Sequence, residues 1–308
     1  MNRSNPRERL RHFLFCMVPS IVILALQNGA AIFGSQVYVV WMLLNAHGNV
    51  TQDFGQRFSE GLTSAGFLMG ISLIYAVIGV LIFALWYRAM KRQDANTFLN
   101  DGTARAADRD SLKQYPVLLY IGIVLFAFAA QYVCEYLVVV LSKMEPEWLA
   151  WYEELMQSLD LSGGGVDALV IAYTVFFGPL CEELCFRGLT FNLCRRVMSP
   201  FAANVVQALL FGGMHANPLQ SVYAFAFGFL LGQIYIDTDN LMITILTHIA
   251  FNGLGMCLEQ YIMVGSTPMT FFCILFISLL ASYLGYLLIL KAQQIKNERL
   301  EQSDAFKH

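Results

Sequence analysis

The stretch Gly178-Pro179-Leu180-Cys181-Glu182-Glu183-Leu184-Cys185-Phe186-Arg187-Gly188 places two carboxylates and a guanidinium at the end of the uncharged run Ala168 to Cys181. An ionised group near a bilayer centre costs roughly 2.5–3.5 kcal/mol on insertion scales, so three within six residues need a reason. Glu183 and Arg187 are four apart on one helical face and can pair. Glu182 points about 100° away from Glu183 and has no local partner. An unpaired intramembrane carboxylate marks a candidate functional site.

The rest of the chain justifies reading this stretch against lipid. Hydrophobic residues make up 57% of the 308 and charged residues 13%, against about 25% charged in a soluble domain. Uncharged runs cover His12 to Gln52, Gly61 to Tyr87, Gln114 to Cys134, Ala168 to Cys181, Val197 to Ile236, Asn240 to Leu258 and Gln260 to Leu290. A bilayer core takes about 20 helical residues to cross. The expectation is an all-α polytopic membrane protein with about eight crossings and no soluble domain. The first apolar run is too long for a signal-peptide core and lacks a small-x-small cleavage site, so it is read as retained.

The expected crossings are Phe13 to Leu44, Leu62 to Tyr87, Pro116 to Ser142, Val166 to Arg196, Pro200 to His215, Leu219 to Ile236, Leu241 to Leu258 and Met269 to Leu290. Gln27-Asn28-Gly29 and Gly34 mark an expected kink or tilt in the first. Arg88 to Lys113 reads as a charged loop. Lys143 to Asp160, with Trp148 and Trp151, reads as an interfacial loop or short helix, and Leu161-Ser-Gly-Gly-Gly165 as a break. Three blocks follow: residues 1–160, a core at 161–260, and 261–308 with the last crossing and a charged tail. Of the 19 basic residues, only Arg57 and Lys143 fall outside the N-terminal segment, the Arg88 to Lys113 loop, the Arg187 to Arg196 end of the fourth crossing and the tail. The positive-inside rule then puts both termini in the cytoplasm. The net charge of −3 argues against a nucleic-acid partner.

The seven Cys nearly all fall in apolar runs and read as small core residues, not a disulfide framework. Cys181-x-x-x-Cys185 lacks the partners of a structural zinc site. Glu135 lies near the far end of its crossing and reads as interfacial.

Among five His, only His215 and His248 fall inside the crossings. His215 ends Phe211-Gly-Gly-Met-His215. His248 opens His248-Ile-Ala-Phe-Asn252, so His248 and Asn252 share one helical face. Glu182 and His215 lie about equally far from the junction Met198-Ser199-Pro200, so a helical hairpin turning there holds them at similar depth. His248 is some 15 Å from the turn at Asp237–Asn240 on the same side.

In this order and on successive helices, Glu182-Glu183-x-x-x-Arg187, Phe211-x-x-x-His215 and His248-x-x-x-Asn252 resemble the three motifs of the CAAX protease and bacteriocin-processing family, also called the abortive-infection family. The resemblance covers about residues 165 to 260. It implies an intramembrane endopeptidase of the bacterial cell membrane acting on a membrane-associated protein or peptide, by CAAX-type or bacteriocin- or signal-peptide-type processing, with bacteriocin-immunity proteins among its relatives.

The residue types suit that chemistry. Peptide hydrolysis needs a base to activate water, and Glu182 is the candidate, with Glu183 beside it and His215 as a second anchor for the water. His248 and Asn252 can donate to the oxyanion, while Arg187 neutralises Glu183. Glu182, His215 and His248 would also form a 2-His-1-carboxylate set suited to Zn²⁺. The His-Glu-x-x-His signature is absent, and metal-bound and metal-free forms both stay open. Two other classes remain: a non-catalytic immunity or regulatory protein on the same scaffold, and a Glu/His proton relay in a transporter, which the absence of inverted repeats disfavours.

Overall fold

The computed structural model describes residues 6–45, 53–100, 112–158, 168–215, 217–258, 261–262 and 264–305. Among them the regular structure is helical throughout. The helices are α1 (Pro6–Cys16), α2 (Val18–Asn45), α3 (Phe54–Leu62), α4 (Ala65–Asn100), α5 (Leu118–Met144) and α6 (Pro146–Ser158). They continue as α7 (Ala168–Cys194), α8 (Pro200–Met214), α9 (Pro218–Thr238), α10 (Leu241–Leu258) and α11 (Pro268–Ala305).

Seven of the spans are long and apolar enough to cross a bilayer, and α8 is an additional shorter apolar helix. The protein is an integral, multi-pass membrane protein. Its outer faces carry large apolar side chains in the open, such as Phe33, Leu85, Phe272 and Phe276, which suits lipid contact. α7 is the most enclosed span. It packs among α2, α4, α8 and α10, around a core that includes Tyr75, Cys181, Phe186, Leu189 and Phe211. A second core joins α5, α9, α10 and α11 through Phe126, Phe227, Leu231 and Ile289.

Local chemistry sets the turns that aim the site. Ser199 accepts from the Ala202 backbone N–H at 3.3 Å and Pro200 opens α8, a cap followed by the one residue that loses nothing at a first turn. Asn217 and Pro218 repeat the device at α9. Asp239 closes α9 in the left-handed conformation, φ 45°, and the Asn240 side chain accepts from the Met242 N–H at 2.9 Å to start α10.

Three sequence expectations change. The charged segment after Tyr87 stays helical as far as Asn100, because Lys, Arg, Gln and Ala are good helix formers; of the rest of the expected loop, 112–113 are not helical and 101–111 lie outside the described chain. The tail likewise continues α11 to Ala305. A break falls at Met17, between α1 and α2 and just before Pro19; at Gln27 to Gly29, where a kink or tilt is expected, the helix is continuous and Asn28 donates to the Leu24 carbonyl. The expected break at 161–165 lies outside the described residues.

Candidate active site

α7 is not a uniform α-helix. It widens into π-helical turns at Ala172–Phe177 and Leu184–Phe191, on either side of Glu182 and Glu183. Such turns leave the regular ladder imperfect and recur at functional sites. Asn192 supports the second: its side-chain amide donates to the carbonyls of Arg187 and Gly188, at 3.0 and 2.8 Å, and to the Tyr235 hydroxyl at 2.8 Å.

The charged groups form one chain. Arg187 Nη1 lies 2.7 Å from Glu183 Oε1, and both side chains are fully buried. Arg187 Nη2 donates to the Gly228 carbonyl on α9 at 2.8 Å, and Gln207 on α8 donates to the same oxygen at 3.0 Å. The guanidinium lies over the Phe211 ring, 4.7 Å from its centroid, which adds attraction in a dry setting. His248 Nδ1 is 2.9 Å from the same Glu183 oxygen, and its other nitrogen faces Glu182 Oε2 at 3.7 Å. His248 is thus held between the two neighbouring carboxylates. Glu182 is the more open of the two, with 12% of its side chain exposed against none for Glu183.

Phe211 is where the three motifs meet. Its ring stands edge-on to His215 at 5.1 Å and to His248 at 5.8 Å, besides carrying Arg187. His215 follows the end of α8, and its Nδ1 lies 2.9 Å from the Phe211 carbonyl, leaving Nε2 for another partner. Asn252, one turn beyond His248, donates to the Thr174 carbonyl at 2.7 Å. The amide bridges α10 to the first π turn of α7, which leaves it one further N–H to offer.

The metal expectation can be tested on donor placement. Among the described residues, no three His, Cys, Asp or Glu side chains stand together as a ligand set. One His248 nitrogen is engaged with Glu183. No step below runs through a metal.

The family pattern "Type II CAAX prenyl endopeptidase Rce1-like" matches residues 165–254, the segment that holds all seven motif residues. This segment is therefore similar to the family that its three motifs resemble. Over 84 residues the chain is also 27% identical to the "Putative membrane peptidase YdiL" of Bacillus subtilis (strain 168), covering 27% of this chain and 34% of that protein. The chain thus matches about a third of that relative's length. No solved structure matches.

The sequence did not reveal the Glu183–His248 bond, the Gln207 amide that shares the Gly228 carbonyl with Arg187 and also donates to Asn204 Oδ1 at 2.7 Å, or the position of Phe211 as a shared wall. Asn204 and Gln207 carried a signal. They are polar residues three apart in an otherwise apolar helix, and the reasoning that singled out Glu182 could have been applied to them.

Proposed function

We propose that the protein is an intramembrane endopeptidase that hydrolyses a peptide bond in a membrane-associated protein or peptide, with Glu182 activating the water. The observation that carries the reading is the unequal environment of two adjacent carboxylates. Glu183 accepts from Arg187 and His248 and is sealed. Glu182 has His248 beside it and remains partly open. One carboxylate is spent on structure and its neighbour is left available.

In this reading Glu182 takes a proton from water as the oxygen attacks the peptide carbonyl carbon. Glu183 fixes the ring by accepting from Nδ1–H, and in its doubly protonated form the ring's other nitrogen, which faces Glu182, donates to the oxygen that gains charge. Glu182 then passes its proton to the departing nitrogen as the C–N bond breaks. His215 anchors the water from the α8 side. The family match supports a CAAX-type or related processing substrate, and the basic-residue asymmetry supports cytoplasmic termini.

Glu182→Gln tests the assignment, since the amide keeps the shape and cannot accept the proton. Host membranes containing the wild type should show new peptide termini by mass spectrometry that the variant lacks, with the two proteins melting at the same temperature. Equal termini in both would remove Glu182 as the base and favour the non-catalytic scaffold. Elemental analysis of the same preparations should find less than one zinc per chain. A stoichiometric zinc lost in His248→Ala would show that a ligand set forms by movement of these side chains.

A further inference from the structure

Gln27 on α2, Tyr75 on α4 and Tyr173 on α7 form a row of polar groups that the mechanism above leaves unused. Gln27 Nε2 donates to the Tyr75 hydroxyl at 3.1 Å, and the two phenolic oxygens lie 2.6 Å apart. The rings meet edge-on with centroids 5.9 Å apart, and Tyr75 is 4% exposed. Because Tyr75 already accepts from Gln27, the direction that runs the bonds in series has Tyr75 donating to Tyr173, and each bond then strengthens the next. The Ser72 hydroxyl reaches the same Tyr173 oxygen. Tyr173 keeps its own O–H to give.

The row ends on the helix that carries the reacting carboxylate. A Cβ built on Gly178 would lie 3.5 Å from Tyr173 Cε2, so the ring lies along α7 beside Gly178. Gly178 and Glu182 are four apart on one helical face. The two phenols bond to Gln27 and to each other, not to Glu182. On the adjacent residue, the Thr174 carbonyl is the group that holds Asn252. A hydroxyl donor, a carboxylate base and the His248–Asn252 face therefore border one region of α7.

The geometry points to the Tyr173 hydroxyl as a substrate-touching donor: it holds the carbonyl oxygen of the peptide bond presented to Glu182, with Tyr75 and Gln27 as positioning residues. No proton is transferred; the phenol keeps its hydrogen and strengthens its bond as the carbonyl oxygen gains charge. This assignment rests on the endopeptidase reading. It also draws Gln27 and Tyr75 into the site, although both lie outside the matched segment 165–254.

The probe is the membrane fraction of host cells expressing Glu182→Gln, incubated with purified full-length protein in detergent, with new termini read by mass spectrometry. A synthetic peptide spanning the most abundant new terminus then gives kcat and KM. Tyr173→Phe should lower kcat by about 10²-fold, the usual cost of one such donor, with KM and melting temperature near wild type. Tyr75→Phe should lower kcat by less, because the Tyr173 hydroxyl remains but loses its support. A wild-type kcat in Tyr173→Phe overturns the assignment while leaving the peptidase reading standing. If Tyr173→Phe does not accumulate as folded protein, a wild-type kcat in Tyr75→Phe overturns it equally. A wild-type protein that creates no new termini overturns both readings at once.

Discussion

Arg187 and Glu183 sit where neither can be left alone. Removing one partner of a buried pair strands the other charge at a cost of about 3–5 kcal/mol. Arg187→Ala should therefore fold poorly or melt far lower in a detergent thermal-shift assay. The double change Glu183→Gln, Arg187→Gln should recover much of that loss, but not activity, because the His248 ring loses the carboxylate that aims it. His248 and Asn252 give a second residue-scale expectation. Each single alanine variant should lose about 10²–10³ in turnover if both serve the same oxygen, and the double variant should fall well short of the product. Additive losses would show that Asn252 acts through its Thr174 bond, independently of His248. The motif residues were legible because charge and imidazole are conspicuous in apolar runs. The pairing of Glu183 with His248 was not, because residues 65 apart in the chain meet only through helix packing that no local pattern encodes.

At the scale of elements, α5 and α11 cross at backbone distance. A Cβ on Gly122 would lie 2.9 Å from the Gly285 carbonyl oxygen and 3.0 Å from the Ile289 nitrogen. One on Gly285 would meet the Phe126 backbone at 2.5 Å. Small residues let membrane helices approach this closely, and backbone cannot yield as a side chain can. Gly122→Leu or Gly285→Leu should cost at least about 1–3 kcal/mol, as overpacking does, read as a lower melting temperature with the isolated α7–α10 site residues unchanged. Hydrophobic run length predicted most crossings to within a few residues. It failed where helices outlast the membrane, at α4 and α11, because helix propensity does not stop when hydropathy does. It was equally blind to the π turns of α7, the second of which Asn192 supports by reaching back to Arg187 and Gly188.

For the whole molecule, α8 decides the topology. At 15 residues it spans about 22 Å, short of a hydrocarbon core of about 30 Å. If the α8–α9 hairpin counts as a crossing pair, eight passages put both termini on one side, as the basic residues imply. A C-terminal fluorescent fusion should then glow in the cytoplasm, and a fusion at Arg57 should report the opposite side. Both fusions on one side would contradict the eight-pass arrangement. Another consequence belongs to α11, whose 38 residues extend about 57 Å, nearly twice the membrane core. Its emerging half is secured to the bundle: Tyr115 bonds Gln293, Lys296 lies over the Tyr115 ring at 4.4 Å, and Arg299 donates to the Gln114 carbonyl at 3.4 Å. A soluble helical domain spliced in phase onto α11 would inherit the orientation of the membrane bundle. The protein thus carries a built-in handle by which particles buried in a featureless micelle could be aligned in electron cryomicroscopy.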